Sequence, residues 1–91
     1  MNAWLARANM KVYKFSASWC GPCKQLSTLL ETIQTKPEIV EIDIDQESDK
    51  ARMFQIRGVP TMVMVDENDK EIRRVVGIQP KSKLEVWLNE D

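Results

Sequence analysis

Apolar positions along the chain follow two periods, one typical of strands and one typical of helices. Four short segments are rich in β-branched and aromatic residues, and three others carry apolar residues at helical spacing. In the first of these three, apolar residues recur from Leu26 to Ile33 until Pro37 stops the pattern. The predicted elements are strands at residues 11–16, 39–44, 60–65 and 71–76, and helices at about 21–34, 48–54 and 81–89.

The element order β-α-β-α-β-β-α predicts an α/β fold. Two parallel strands linked by a helix, followed by an antiparallel hairpin and a closing helix, give a mixed four-stranded sheet with helices on both faces. The chain has 91 residues, which is enough for one domain with one core. We assign that domain to residues 10–91. Residues 1–9 are interpreted as an N-terminal extension, which is vector-derived, results from an alternative start, or packs on the domain as a helical turn.

Composition narrows the classes of function. The net charge is −1, from 13 basic and 14 acidic residues, so we expect no binding to nucleic acid. No stretch approaches the roughly 20 apolar residues of a membrane span, and the first ten residues lack the apolar region of a secretory signal. We therefore expect a cytoplasmic protein that does not bind membranes. Two cysteines and no histidine make a zinc site improbable and exclude cysteine-histidine catalysis.

The two cysteines lie at the junction between the first strand and the first helix. Cys20 is placed near the helix N-terminus, where free N–H groups and the helix dipole favour a thiolate, so it is the predicted nucleophile. Cys23 lies one helical turn on and is the predicted resolving thiol. Pro22 suits the first helical turn, and Gly21 leaves space for an incoming substrate sulfur. A chance spacing of two buried cysteines is the alternative interpretation, and it is disfavoured.

Three motifs, in this order, resemble those of the thioredoxin family over roughly residues 11–90. They are Trp19-Cys20-Gly21-Pro22-Cys23-Lys24, Gly58-Val59-Pro60-Thr61 and Val76-Gly77. The resemblance implies a thioredoxin-like fold in which Val59-Pro60 is a cis peptide facing the dithiol; an ordinary trans proline at the start of a strand is the alternative. It also implies that an extended substrate pairs with the main chain of Val59 and lies between Trp19, Pro60 and Gly77-Ile78.

Two charged positions depart from the thioredoxin pattern. That family usually carries a buried aspartate six residues before the first cysteine and a lysine on the adjoining strand, whereas this chain has Lys14 and Glu41. We predict that they form an ion pair beneath the active site and take part in catalysis. Either Lys14 favours the thiolates, or Glu41 accepts the proton of Cys23. In the alternative interpretation, Lys14 extends to solvent and Glu41 lies on an ordinary polar face.

The resemblance implies a thiol-disulfide oxidoreductase that reduces protein disulfides by dithiol-disulfide exchange. Electrons are then expected from an NADPH-dependent, thioredoxin-reductase-like flavoprotein. The chain itself has no dinucleotide fingerprint, so we expect no bound cofactor and no metal, and we expect a monomer. Three alternatives stay open: a disulfide oxidant or isomerase, a glutaredoxin-like reductant using glutathione, and a binding module for a partner enzyme. The glutathione alternative arises because the chain is too short at its front for the first strand and helix of typical thioredoxins.

Overall fold

Within the residues that the structure describes, seven secondary-structure elements follow one another in the predicted order. The computed structural model describes residues 10–34 and 37–90. The predicted extension at residues 1–9 therefore lies outside the described residues. The strands are β1 (Lys11–Ser16), β2 (Glu38–Asp43), β3 (Thr61–Val65) and β4 (Glu71–Val76), and the helices are α1 (Gly21–Leu30), α2 (Ser48–Met53) and α3 (Lys81–Asn89).

The four strands form one mixed sheet in the order β2-β1-β3-β4. β1 pairs with β2 in parallel, and β1–β3 and β3–β4 are antiparallel. This arrangement confirms the predicted sheet. Every residue of the central strand β3 is buried. Because both faces of this strand are covered, it is apolar without interruption after Thr61 rather than alternating with polar residues.

Side chains of alternate residues enter two apolar clusters on opposite faces of the sheet. Met62 and Met64 of β3 point to the face covered by α1 and α3, where they meet Leu26 and Leu84. Val63 and Val65 point to the opposite face, beside α2. The second cluster also holds the aromatic rings of Tyr13, Phe15 and Phe54, which pack edge-on or tilted against one another. Helices on both faces of the sheet are thereby confirmed.

The first helix is shorter than predicted. It ends at Leu30 instead of residue 34, because the chain tightens there: Thr32 N–H donates to Leu29 O and Ile33 N–H donates to Leu30 O, both across three residues. The side chain of Ile33 is nevertheless buried, so the apolar spacing predicted its burial correctly and its helical conformation wrongly. The other predicted bounds differ from the observed ones by one residue at most.

Candidate active site

Cys20 and Cys23 form a disulfide at the N-terminus of α1. Cys20 is the N-cap of the helix, with extended backbone angles, and its Sγ accepts a hydrogen bond from the N–H of Cys23 at 3.1 Å. The two cysteines are 4% and 3% exposed and pack with Ala17, Ile44 and Val59. The sulfur of Cys20 thus occupies the position where free helix N–H groups stabilise negative charge, as the sequence predicted.

The loop that leads into β3 lies against this disulfide. Its Val59-Pro60 bond is cis, which confirms the prediction, and the carbonyl oxygen of Val59 is 3.8 Å from the Sγ of Cys20. The N–H of Gly77 donates to the carbonyl of Pro60 at 2.8 Å, and Gly77 has a φ of +78°, a conformation that favours glycine. The structure therefore brings together the predicted residues Cys20, Val59, Pro60 and Gly77, which are far apart in the sequence.

Trp19 presents a largely exposed indole ring directly before the disulfide. The side chain is 68% exposed, yet its Nε1–H donates to the carboxylate of Asp45 at 3.0 Å. Asp45 is itself tied to Asp43, whose carboxylate accepts its N–H at 2.8 Å. This contact holds the ring in one place while its apolar surface stays open. Sequence reasoning missed Asp45, because nothing in the acidic stretch singles out one carboxylate as the partner of Trp19.

Lys14 is a buried charge between β1, β2 and α1. Its side chain is 3% exposed, so the alternative that it extends to solvent is wrong. The ammonium donates to Ser27 Oγ at 2.6 Å and to Glu41 Oε1 at 3.1 Å. The predicted ion pair is therefore confirmed in its geometry, and its role in catalysis stays a prediction.

Glu41 accepts a second hydrogen bond, from the hydroxyl of Ser16 at 3.0 Å. Its side chain is 64% exposed, so one partner of the ion pair is buried and the other is solvated. The hydrogen bonds from Lys14 and from Ser16 lower the pKa of Glu41 below its ordinary value, and partial burial opposes this only in part. Glu41 is accordingly a carboxylate at neutral pH.

A cleft of about 400 Å³ opens beside Cys23, and no residue of the Val59-Pro60 loop lines it. Both Cys23 and Glu41 line it, together with Ser16 and Ser27. Sequence reasoning missed the two serines. A signal was present, because Ser27 follows Cys23 by four residues on one helix face and Ser16 follows Lys14 by two residues on one strand face.

Two classes of site are not found in the part of the chain that the structure describes. Within residues 10–34 and 37–90, no three Cys, Asp or Glu side chains cluster so as to hold a metal ion. None of the helices α1 to α3 is long and apolar enough to cross a membrane.

A disulfide between two cysteines three apart, at a helix N-terminus and against a cis-proline loop, defines a thiol-disulfide oxidoreductase. The family model Thioredoxin matches residues 2–90. The chain is 32% identical to the thioredoxin of Staphylococcus haemolyticus over 82 residues, covering 86% of this chain and 78% of that protein. It is 31% identical to a thioredoxin of Staphylococcus aureus over 81 residues, covering 85% and 77%.

Solved structures give the same result. A mutant thioredoxin from Halobacterium salinarum superposes with a TM-score of 0.80 at 31% identity, covering 94% of this chain and 77% of that one. A thioredoxin from Malassezia sympodialis superposes with a TM-score of 0.77 at 32% identity, covering 89% and 75%. The chain therefore belongs to the thioredoxin family, and it is a protein-disulfide reductase with Cys20 and Cys23 as its redox-active pair.

Proposed function

We propose that Cys20 is the attacking thiol and Cys23 the resolving thiol in the reduction of protein disulfides. The thiolate of Cys20 attacks one sulfur of the substrate disulfide, and the other substrate sulfur leaves as a thiolate that takes up a proton. The thiolate of Cys23 then attacks the sulfur of Cys20, and the second substrate sulfur leaves. Two electrons pass to the substrate, and the Cys20–Cys23 disulfide forms.

One hydrogen bond carries this assignment of roles. Burial does not distinguish the two cysteines, because they are 4% and 3% exposed. The Sγ of Cys20, however, accepts the N–H of Cys23 at 3.1 Å and lies 3.8 Å from the carbonyl oxygen of Val59. A charge on the sulfur of Cys20 is thus stabilised by the helix terminus, on the side where the substrate is expected.

The substrate is proposed to bind as an extended segment along the main chain of Val59. Trp19 and Ile78, which are 68% and 39% exposed, then flank the segment with apolar surface, beside Pro60 and Gly77. Recognition of this kind reads the backbone of the substrate more than its side chains. We therefore expect many protein disulfides to serve as substrates.

The first two residues of α1 leave room for the attack on the substrate. Both Gly21 and Pro22 are exposed. A Cβ atom built on Gly21 would meet no atom within 4 Å apart from its chain neighbours and the backbone of its own helix, so no other part of the protein covers this residue. These two residues are therefore proposed as part of the substrate-binding surface.

Electrons are proposed to enter through the same pair of cysteines. The chain has no third cysteine, so the disulfide that forms during substrate reduction must itself be reduced again. We propose that an NADPH-dependent flavoprotein of the thioredoxin-reductase kind supplies these electrons and that the chain binds no cofactor of its own. The protein is expected to act as a monomeric carrier in the cytoplasm.

Single-cysteine variants test the assignment of roles. Cys23→Ser should accumulate a mixed disulfide between Cys20 and a protein substrate, because nothing resolves it. Cys20→Ser should form little mixed disulfide and reduce no substrate. Mass spectrometry after acid quenching identifies the trapped cysteine. Trapping through Cys23 in Cys20→Ser, with none through Cys20 in Cys23→Ser, would overturn the assignment.

A further inference from the structure

The ammonium of Lys14 contacts Ser27, which lies one helical turn after the resolving thiol. Cys23 and Ser27 are four residues apart on α1, which places their Cβ atoms about 5–6 Å apart on one face. Lys14 Nζ donates to Ser27 Oγ at 2.6 Å. The buried positive charge is therefore bound to a residue that shares one helix face and one cleft with Cys23.

Other charges also face the cleft, and solvent screens most of them. Lys24 of α1 and Glu47 after β2 are exposed, Glu41 is 64% exposed, and Asp43 is half-buried. Charges in water act weakly over a few ångströms, whereas a charge inside the protein acts through a lower effective dielectric. At 3% exposure, Lys14 should outweigh these groups at the Cys23 sulfur.

We propose that the buried ammonium of Lys14 stabilises the Cys23 thiolate by its charge, so that the resolving thiol releases its proton directly to water in the cleft. Ser27 and Glu41 are positioning residues that hold the ammonium there, through bonds of 2.6 and 3.1 Å. The cleft of about 400 Å³ is large enough for several water molecules. The inference rests on the proposed role of Cys23 as the resolving thiol.

The step balances without any further reactant. The S–H bond of Cys23 breaks, and the proton passes to water in the cleft. The electron pair left on the sulfur forms the bond to Cys20, while the bond between Cys20 and the substrate sulfur breaks. That substrate sulfur leaves with its electron pair as a thiolate.

The competing role for the ion pair has Glu41 accept the proton of Cys23. Two observations favour Lys14 instead. The Oε1 atom of Glu41 accepts bonds from both Lys14 and Ser16, so this oxygen is engaged in holding the ion pair. The same bonds lower the pKa of Glu41, which makes the carboxylate a weaker base toward a thiol.

Titration of Cys23 alone tests the role of Lys14. In a Cys20→Ser background, thiolate absorbance against pH reports only Cys23. Lys14→Met should raise the midpoint by about one pH unit, which is about tenfold less thiolate below the midpoint. Lys11→Met is the matched control, because Lys11 is exposed on the same strand, and it should leave the midpoint unchanged. A Lys14→Met midpoint equal to that of the control, or below it, would overturn the proposal.

Glu41→Gln gives a second test, in which the midpoint of the Cys23 titration is not expected to rise. This test remains available if Lys14→Met does not fold. Removal of the counter-charge leaves the Lys14 ammonium in place, so the midpoint should fall or stay unchanged. Glu38→Gln, on the same strand and exposed, is the control. A raised midpoint would overturn the proposal, because the remaining ammonium should favour the thiolate. In the protein with both cysteines, slower release of substrate from the mixed disulfide in Glu41→Gln than in Glu38→Gln at neutral pH would assign the proton to Glu41 and also overturn the proposal.

The titration and the mixed-disulfide experiment give separate results for the role of Lys14 and for the proposed function. The titration uses a variant without Cys20 and needs no substrate. The mixed-disulfide experiment uses Cys23→Ser and leaves Lys14 intact. An unshifted titration with normal trapping through Cys20 contradicts only the role of Lys14. Absence of trapping through Cys20 contradicts the proposed assignment of the two thiols.

Discussion

Removal of Lys14 and removal of Glu41 from their ion pair should change the free energy of unfolding by different amounts. Lys14 is 3% exposed and Glu41 is 64% exposed. Glu41→Gln leaves a buried ammonium with Ser27 as its main partner, which is costly. Lys14→Met instead removes the buried charge and places an apolar chain of similar length beside Met62, while Glu41 is left solvated. We therefore expect Glu41→Gln to destabilise the protein more than Lys14→Met does.

The size of the difference follows from the distance within the pair. Two unit charges 3.1 Å apart interact by about 1.3 kcal/mol in water and about 5 kcal/mol at an effective dielectric constant of about 20. Solvent around the Glu41 carboxylate places the value toward the lower end, so Glu41→Gln should cost about 1–2 kcal/mol. Lys14→Met should stay within about 1 kcal/mol of the original protein.

Urea denaturation of the oxidised protein measures these changes in the free energy of unfolding. When Glu41→Gln is made in a protein that already carries Lys14→Met, its loss in the free energy of unfolding should largely disappear, because no buried ammonium needs a counter-charge. Each kcal/mol lost from the free energy of unfolding should also lower Tm by about 4–8 °C for a domain of this size. A larger loss for Lys14→Met than for Glu41→Gln, or additive losses in the double variant, would refute the reasoning.

Three further predictions concern the core, one turn and acid stability. Leu84→Ala should lower the free energy of unfolding by about 2–5 kcal/mol, because Leu84 is 0% exposed, while Val86→Ala, at 60% exposure, should change it by under about 0.5 kcal/mol. Gly77→Ala should cost about 1 kcal/mol because its φ is +78°, although a Cβ there meets no atom within 4 Å. The pKa of Glu41 is lowered in the folded state, so its contribution to stability is present above pH 4.5 and is lost as pH falls through the folded pKa.

Matched measurements check these three predictions. Urea denaturation of the two core variants side by side separates the loss of buried volume from a general effect of alanine. Gly58→Ala is the control for Gly77→Ala, since neither site crowds a Cβ and only Gly77 has a positive φ; equal losses would contradict the conformational reason. For Glu41, the stability difference between the original protein and Glu41→Gln should shrink below pH 4.5, and a difference that stays constant would contradict the sign.

Short motifs made the redox site predictable from the sequence. Cys20 and Cys23 are close in the chain and their spacing fits a helical turn, so local geometry is enough to bring them together. The position of Val59-Pro60 came from the family resemblance alone, since 39 residues separate Val59 from Cys20 and no local pattern joins them. The same holds for Gly77 and its bond to Pro60.

The Lys14–Glu41 pair was predictable from the family resemblance, because the thioredoxin pattern carries opposite charges at these two positions. They are paired in the parallel β1–β2 ladder, and both side chains lie on the α1 face. The extent of burial was not predictable, because it depends on how α1 covers that face. Ser27 was missed for the same reason: its contact with Lys14 needs the packing of a helix on the sheet, which periodicity alone does not supply.

The end of α1 shows where periodicity misleads. Ile33 keeps the apolar spacing of the helix and is buried, yet the helical hydrogen bonds end at Leu30. Burial requires only that a side chain reach the core, and a tighter turn achieves this as well as another helical turn does. The pattern therefore identifies core residues more reliably than it identifies the last residue of a helix.

The reduction potential of the Cys20–Cys23 pair tests the assignment as a protein-disulfide reductase most directly. Equilibration with defined dithiol buffers, followed by separation of the reduced and oxidised forms, gives its value. We expect a potential near about −270 mV, which is typical of thioredoxins, together with reduction of a protein disulfide. A potential near about −120 mV, as in proteins that oxidise their substrates, would contradict it.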